Sequence, residues 1–130
     1  MSDYRQRRKL YKDVSGSTVL LATDDLSSTA RSLAALAAKY SIYVQRIIVD
    51  VITDNAATLT FSDDAGTPVK IAGTKASPGI GPITFDFGIE GRKLTEGQAF
   101  ILKNSAAGLA ADITWLAYMR PTGTRTIAQI

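Results

Sequence analysis

The chain keeps returning to a two-residue period. Ser41 to Thr53 reads SIYVQRIIVDVIT, dense in β-branched residues, and side chains on an extended backbone alternate between two faces. Tyr43, Gln45, Ile47, Val49 and Val51 share one parity; Ile42, Val44, Arg46, Ile48, Asp50 and Ile52 share the other. Arg46 and Asp50 imply that the second face is only partly buried and reaches solvent or a neighbouring subunit. Asp54 and Asn55 then supply a turn, after which Ala57, Leu59 and Phe61 alternate with Thr58, Thr60 and Ser62. That alternation predicts a hairpin with the preceding strand.

Shorter extended segments follow the same logic. Ser17 to Thr23, Val69 to Ala72, Pro82 to Phe87 and Ala99 to Lys103 are predicted strands, separated by turn-rich stretches such as Asp63 to Pro68 and the loop from Thr74 to Gly81. In Ala111 to Arg120, Ile113, Trp115, Ala117 and Met119 share the core face, while Thr114, Leu116, Tyr118 and Arg120 share the other; Pro121 stops the strand. Thr124 to Ile130 is expected to add an edge strand. One segment departs from the pattern. Leu26, Ala30, Leu33, Ala37 and Tyr40 recur at helical spacing behind Asp24 and Asp25, which predicts a helix over about residues 26–39. The expected architecture is all-β: an antiparallel sandwich of jelly-roll type, with about seven or eight strands and one short inserted helix. Residues 17–130 form that single domain and residues 1–16 an N-terminal arm.

With 130 residues and no Cys or His, the chain can bury a core, yet it lacks thiol chemistry, imidazole bases and the usual zinc ligands. The adjacent acids Asp24 with Asp25 and Asp63 with Asp64 have cap or turn spacing rather than that of a calcium loop. Asp50, Asp86, Glu90 and Glu96 form no recognisable catalytic pair. The GIG at Gly79–Gly81 and the GIEG at Gly88–Gly91 lack the phosphate-loop arrangement and fit tight turns. Lys70, Lys75, Arg92, Lys93 and Lys103 are scattered among acids as surface charge. These features lead to the expectation of a non-enzyme without cofactor or metal.

The net charge of +3 sits almost wholly at one end. Arg5, Arg7, Arg8, Lys9 and Lys12 outweigh Asp3 and Asp13, and the remaining residues balance. Tyr4, Leu10 and Tyr11 interleave these cations, so residues Tyr4 to Lys12 are the candidate partner-binding segment. Three roles fit: a nucleic-acid-binding tail, a tether that orders on an acidic protein surface, and a solubilising tail. The balanced body makes nucleic acid the less favoured partner. Arg46, Asp50, Tyr118 and Arg120 are the candidate subunit interface. The apolar run Val19 to Ala22 is too short for an export signal, and no stretch approaches the roughly 20 residues a membrane span needs.

The segments Tyr43–Gly73 and Gly81–Pro121 resemble the small β-sandwich structural proteins of tailed bacteriophages, especially capsid decoration (cement) proteins and head-fibre base domains. The likeness rests on the Thr58–Phe61 strand (TLTF), the Phe85–Gly88 element (FDFG), the Leu94–Gly97 approach and the late strand ending at Tyr118 and Arg120. It implies a homotrimer at local three-fold positions of a phage head, clamping subunits of the major capsid protein on the virion surface after assembly in the host cytoplasm. A trimeric head-fibre or tail module that binds a receptor or glycan is the alternative it leaves open. Residues 1–16 have no counterpart in that pattern.

Overall fold

The computed structural model describes residues 12–20, 30–35, 39–106 and 108–121, which form ten strands and, among the described residues, no helix. In chain order these are β1 (Lys12–Asp13), β2 (Gly16–Leu20), β3 (Ala30–Ala34), β4 (Tyr40–Thr53), β5 (Leu59–Asp63), β6 (Lys70–Gly73), β7 (Gly81–Asp86), β8 (Arg92–Lys93), β9 (Phe100–Asn104) and β10 (Ala110–Pro121). They build two antiparallel sheets. In the first, β10 pairs with β4; β1 and β2 lie end to end along the other side of β10, and β7 and β8 both pair with the far side of β4. The second runs β3-β9-β5-β6. The count exceeds the expected seven or eight because both edges of the first sheet are interrupted.

The predicted helix is not found where the structure can test it. Ala30–Ala34 is an edge strand, with Ala30 opposite Lys103 and Ala34 opposite Phe100. Tertiary pairing overrides the helical spacing of Leu26, Ala30, Leu33, Ala37 and Tyr40, because intrinsic helix preference is worth only tenths of a kcal/mol per residue. Residues 26–29 and 36–38 lie outside the described residues, as does the expected strand from Thr124 to Ile130.

The expected hairpin is also corrected. β4 belongs to the first sheet and β5 to the second, so residues 54–58 carry the chain between layers. Alternation reports that one face is buried, which is equally true of a hairpin and of two strands in facing sheets. The hairpin that does form is β5 with β6, through the turn cluster expected at residues 63–68.

The third correction concerns β4. Leu116 faces Arg46 and Ala117 faces Val44, so Gln45 is the extra residue of a β-bulge. A bulge shifts the parity of everything on one side of it. Ile47, Val49 and Val51 point inward as expected, but before the bulge the buried apolar residues are Ile42 and Val44, with Tyr43 turned outward. β10 keeps its expected parity: Ile113, Trp115, Ala117 and Met119 are buried.

Apolar side chains fill the space between the sheets. Phe85 and Trp115 from the first sheet meet Phe61 and Phe100 from the second, with ring centroids 6.1–6.4 Å apart along the series Phe85, Phe61, Phe100, Trp115. These tilted and edge-on contacts add to area burial. Trp115 also donates its indole N–H to the Val14 carbonyl at 2.7 Å, satisfying its polar atom between β1 and β2. Gly16 is required there, because a Cβ would lie 2.7 Å from the Trp115 ring.

Asp63 holds the loops at the β5 end. It is almost fully buried, and one carboxylate oxygen accepts the Ala65 and Val69 backbone N–H groups at 3.1 and 3.0 Å. The other accepts the Thr95 N–H at 2.9 Å and its hydroxyl at 2.6 Å. Burial pushes this carboxyl up, but the Thr95, Val69 and Ala65 donors outweigh it and hold the group below the usual carboxylate range.

Candidate interaction surface

The outward side of the first sheet carries the residues with the most distinctive chemistry. Pairing across the strands sets Lys93, Tyr43, Tyr118 and Asp13 in one row. The Tyr43 and Tyr118 rings stack with centroids 5.1 Å apart and planes inclined by 4°. The Arg120 guanidinium sits over the Tyr43 ring at 5.0 Å, a cation on the negative face of the π-system. One row along, Arg46 pairs with Asp86 at 3.3 Å, both about half exposed (49% and 56%). The Gly88 N–H and then Arg46 lower the Asp86 carboxyl below its ordinary range.

The bulge at Gln45 gives this face its relief. Gln45 takes the Phe87 N–H on its carbonyl at 2.8 Å and donates its side-chain amide to the Ile89 carbonyl. Tyr118 donates its hydroxyl to the Glu90 carbonyl at 2.8 Å. Gly91 closes the loop at φ 78°, where a Cβ would come within 2.8 Å of the Val44 carbonyl oxygen. Residues 87–91 are thereby pinned to the sheet. Yet Ile89 at their tip is 87% exposed, with Leu116 beside it at 46%. Tyr43, Gln45, Ile89, Glu90, Tyr118 and Arg120 surround a hollow of about 600 Å³, and a second of about 250 Å³ adjoins it toward Arg46 and Asp86.

Such a surface suits contact with another macromolecule. An isoleucine in water on a pinned loop forgoes roughly 2–3 kcal/mol of burial that a partner would recover, with little further ordering cost. Tyr and Arg around an apolar point are the residue types that dominate interface energetics.

Of the expected interface residues, Tyr118 and Arg120 stand together at the hollow and Arg46 lies beside it. Asp50 shares the outward side but sits farther along β4, opposite Asp112. Tyr43, Gln45, Ile89 and Glu90 were not anticipated; the glycines at positions 88 and 91 were the available signal, since they bracket a tight loop whose middle residues must project. Residues Tyr4 to Tyr11 of the candidate arm lie outside the described residues, while Lys12 begins β1 opposite Met119. Among the described residues no three carboxylates converge on a common point.

No protein-family model matches the chain, and no curated protein is similar to it in sequence. Among solved structures it is similar to the cryo-EM structure of the giant freshwater prawn Macrobrachium rosenbergii extra small virus VLP, with a TM-score of 0.40 and 7% identity over 84% of this chain and 79% of that one.

Proposed function

We propose that the chain is a noncatalytic structural virion protein: a homotrimeric module that sits on a capsid surface and stabilises it by clamping neighbouring major capsid subunits. The sandwich topology supports this reading. With β1/β2 and β7/β8 each taken as one interrupted strand, the two sheets have four positions each, in the order β1/β2-β10-β4-β7/β8 and β3-β9-β5-β6. Eight positions so ordered fit a jelly roll, an architecture used by viral capsid and lectin domains. Fold alone does not choose between those uses.

The observation that carries the choice is one of placement. The cationic segment of residues 5–9 leads into β1, and β1 forms the edge of the first sheet beside Tyr118, on the side that holds the aromatic hollow and Ile89. β1, which the cationic segment precedes in sequence, and the pinned apolar surface thus share one side of the molecule. Several weak contacts of this kind, repeated over a trimer, give firm retention on a repeating lattice. A protein that binds only the assembled lattice stabilises it by linkage.

Co-sedimentation of the purified chain with expanded heads and with proheads tests the reading. The expected result is retention on expanded heads, weakened by removal of residues 1–11; absence from both pellets refutes it. A glycan-binding head-fibre or tail module is the second reading, favoured by the two tyrosines, Gln45 and Glu90 around one hollow. Saturable binding to a glycan panel, lost in Tyr118→Ala, would select it.

A further inference from the structure

Among the described residues, β7 pairs with β4 on one side and with no strand on the other. The Phe87 N–H goes to the Gln45 carbonyl at 2.8 Å. Bonding alternates along an antiparallel ladder, so Ile83 and Phe85 also bond toward β4. The Pro82 carbonyl and both backbone polar groups of Thr84 and Asp86 therefore point away from β4, in the plane of the sheet. The side chains at this edge are incompletely covered as well. Ile83 and Phe85 face the core yet are only partly buried, whereas Val49 and Ile47 opposite them are fully enclosed. Native edges are commonly guarded by lysine. β6, an edge of the second sheet, carries Lys70; β7 carries no cation, and its single charge, Asp86, is held by Arg46 and the Gly88 N–H. Its guard is Pro82, at one end.

We propose that two copies of the chain join edge to edge along β7, about a two-fold axis at Thr84, so that the first sheet runs on through both. Each Thr84 N–H then donates to the Thr84 carbonyl of the other copy, and each Asp86 N–H to the Pro82 carbonyl of the other copy. Every N–H at this edge is used. The N–H that Pro82 lacks falls opposite the Asp86 carbonyl, at the exposed end of the ladder. On the core side, Ile83 meets Phe85 of the second copy, a β-branched and aromatic pair of the kind that stabilises neighbouring strands. Ile80, 76% exposed, comes alongside Gly88 and Ile89 of the second copy, because position 80 lies opposite position 88; Ile89 is itself 87% exposed.

The register follows from the same residues. Here the two Asp86 side chains stand four positions apart, about 13 Å along the strands. Sliding the copies so that Thr84 faces Asp86 makes the two carboxylates diagonal neighbours, within reach of each other. Sliding them the other way puts the Asp86 N–H opposite position 80, beyond the end of β7. A second copy is the occupant because the edge complements itself: its donors, its acceptors, its missing donor and its exposed isoleucines all find counterparts in the same strand run in reverse. An unrelated strand satisfies the hydrogen bonds without accounting for Ile80 and Ile89. The contact is isologous. It goes beyond the proposed function, since a two-fold contact at this edge is distinct from a three-fold one and joins one trimer to the next.

Sedimentation velocity and disulfide trapping on the full chain test it. The wild type is expected to associate reversibly into dimers or multiples of two. Thr84→Pro removes the two central donors without touching the β4 ladder, and proline is tolerated at a sheet edge; it should weaken association about tenfold or more, with circular dichroism verifying the fold. The chain has no cysteine, so a single Thr84→Cys reports on the axis alone. Directly opposed residues of a bonded pair lie about 5.5 Å apart at Cα, within disulfide reach, whereas either shifted register takes position 84 out of reach. Thr114→Cys is the control, exposed in the same row of the sheet two strands inward. Under mild oxidation Thr84→Cys should cross-link about tenfold faster or more. A wild type that is a monomer or a discrete trimer at every concentration overturns the proposal. So does association indifferent to Thr84→Pro, or Thr84→Cys that cross-links no faster than Thr114→Cys. A monomer whose co-sedimentation with heads is lost in Thr84→Pro gives the edge to a coat strand and overturns it too. A discrete trimer that co-sediments with heads leaves the capsid reading standing; an even-numbered multimer that does not co-sediment refutes that reading while preserving this contact.

Discussion

Replacing Asp63 by alanine removes one side chain and strands the donors of three separate chain positions. The Ala65, Val69 and Thr95 N–H groups all end on this carboxylate, with the Thr95 hydroxyl as a fourth donor. Each buried donor left unpaired costs about 1–3 kcal/mol. Partial access of water to the vacated space makes about 3–5 kcal/mol a reasonable total. For a chain of this size each kcal/mol moves Tm by about 4 °C, so the expected drop is roughly 12–20 °C. Asp63→Asn should fall between alanine and wild type, since one acceptor oxygen remains while its amide opposes an N–H. Asp64→Ala, at the exposed neighbour, should change stability by less than about 0.5 kcal/mol.

The same contact makes a pH statement. The folded carboxyl lies below its ordinary value of 3.8, so its contribution is complete above that value and disappears as pH falls through the folded one. Wild type should lose stability on acidification below about pH 4, and Asp63→Asn should lack that part of the loss. Thermal and urea unfolding across pH measure both effects. An Asp63→Ala variant within about 1 kcal/mol of wild type would refute the reasoning that the carboxylate organises these loops.

Other perturbations test the remaining structural arguments. Gly16→Ala forces a methyl against the Trp115 ring and should cost about 1–3 kcal/mol, read by urea unfolding. Gly91→Ala adds an unfavourable positive φ to a contact with the Val44 carbonyl; it should destabilise by a similar amount, about 1–3 kcal/mol, and disturb the tyrosine near-ultraviolet dichroism as the loop lifts. Ile89→Asp should leave thermal stability within about 0.5 kcal/mol of wild type, since the residue is exposed, while weakening capsid retention or self-association. Deleting residues 1–11 should abolish whatever salt-sensitive binding to duplex DNA the chain shows, because the body carries balanced charge.

The strands were legible wherever their signal was local. Ala111 to Arg120 combines strict alternation with a terminal proline, and its buried and exposed faces were read correctly. β4 shows where local reading ends: its parity is reversed before Gln45 by a bulge set by pairing with β10, not by any residue that announces it. The helix expectation failed at Ala30–Ala34 because local helical spacing and propensity weigh less than an open ladder position beside β9. Asp63 was read as half of an acidic turn, and its turn contacts to Ala65 and Val69 are local. Its Thr95 partner lies 32 positions away, a separation invisible to spacing arguments. Around the hollow, the outward placement of Tyr118, Arg120 and Arg46 was legible from parity on β10 and β4. Tyr43 and Ile89 required knowledge of the bulge and of the loop it pins.

The proposal that this chain serves a capsid is tested most directly by imaging the native particle with the chain in place. Cryo-electron microscopy should show its sandwich on the outer capsid surface at local three-fold positions, with the N-terminal segment running onto the coat subunits. Particles lacking any density for the chain, or a chain recovered only apart from particles, would contradict the account.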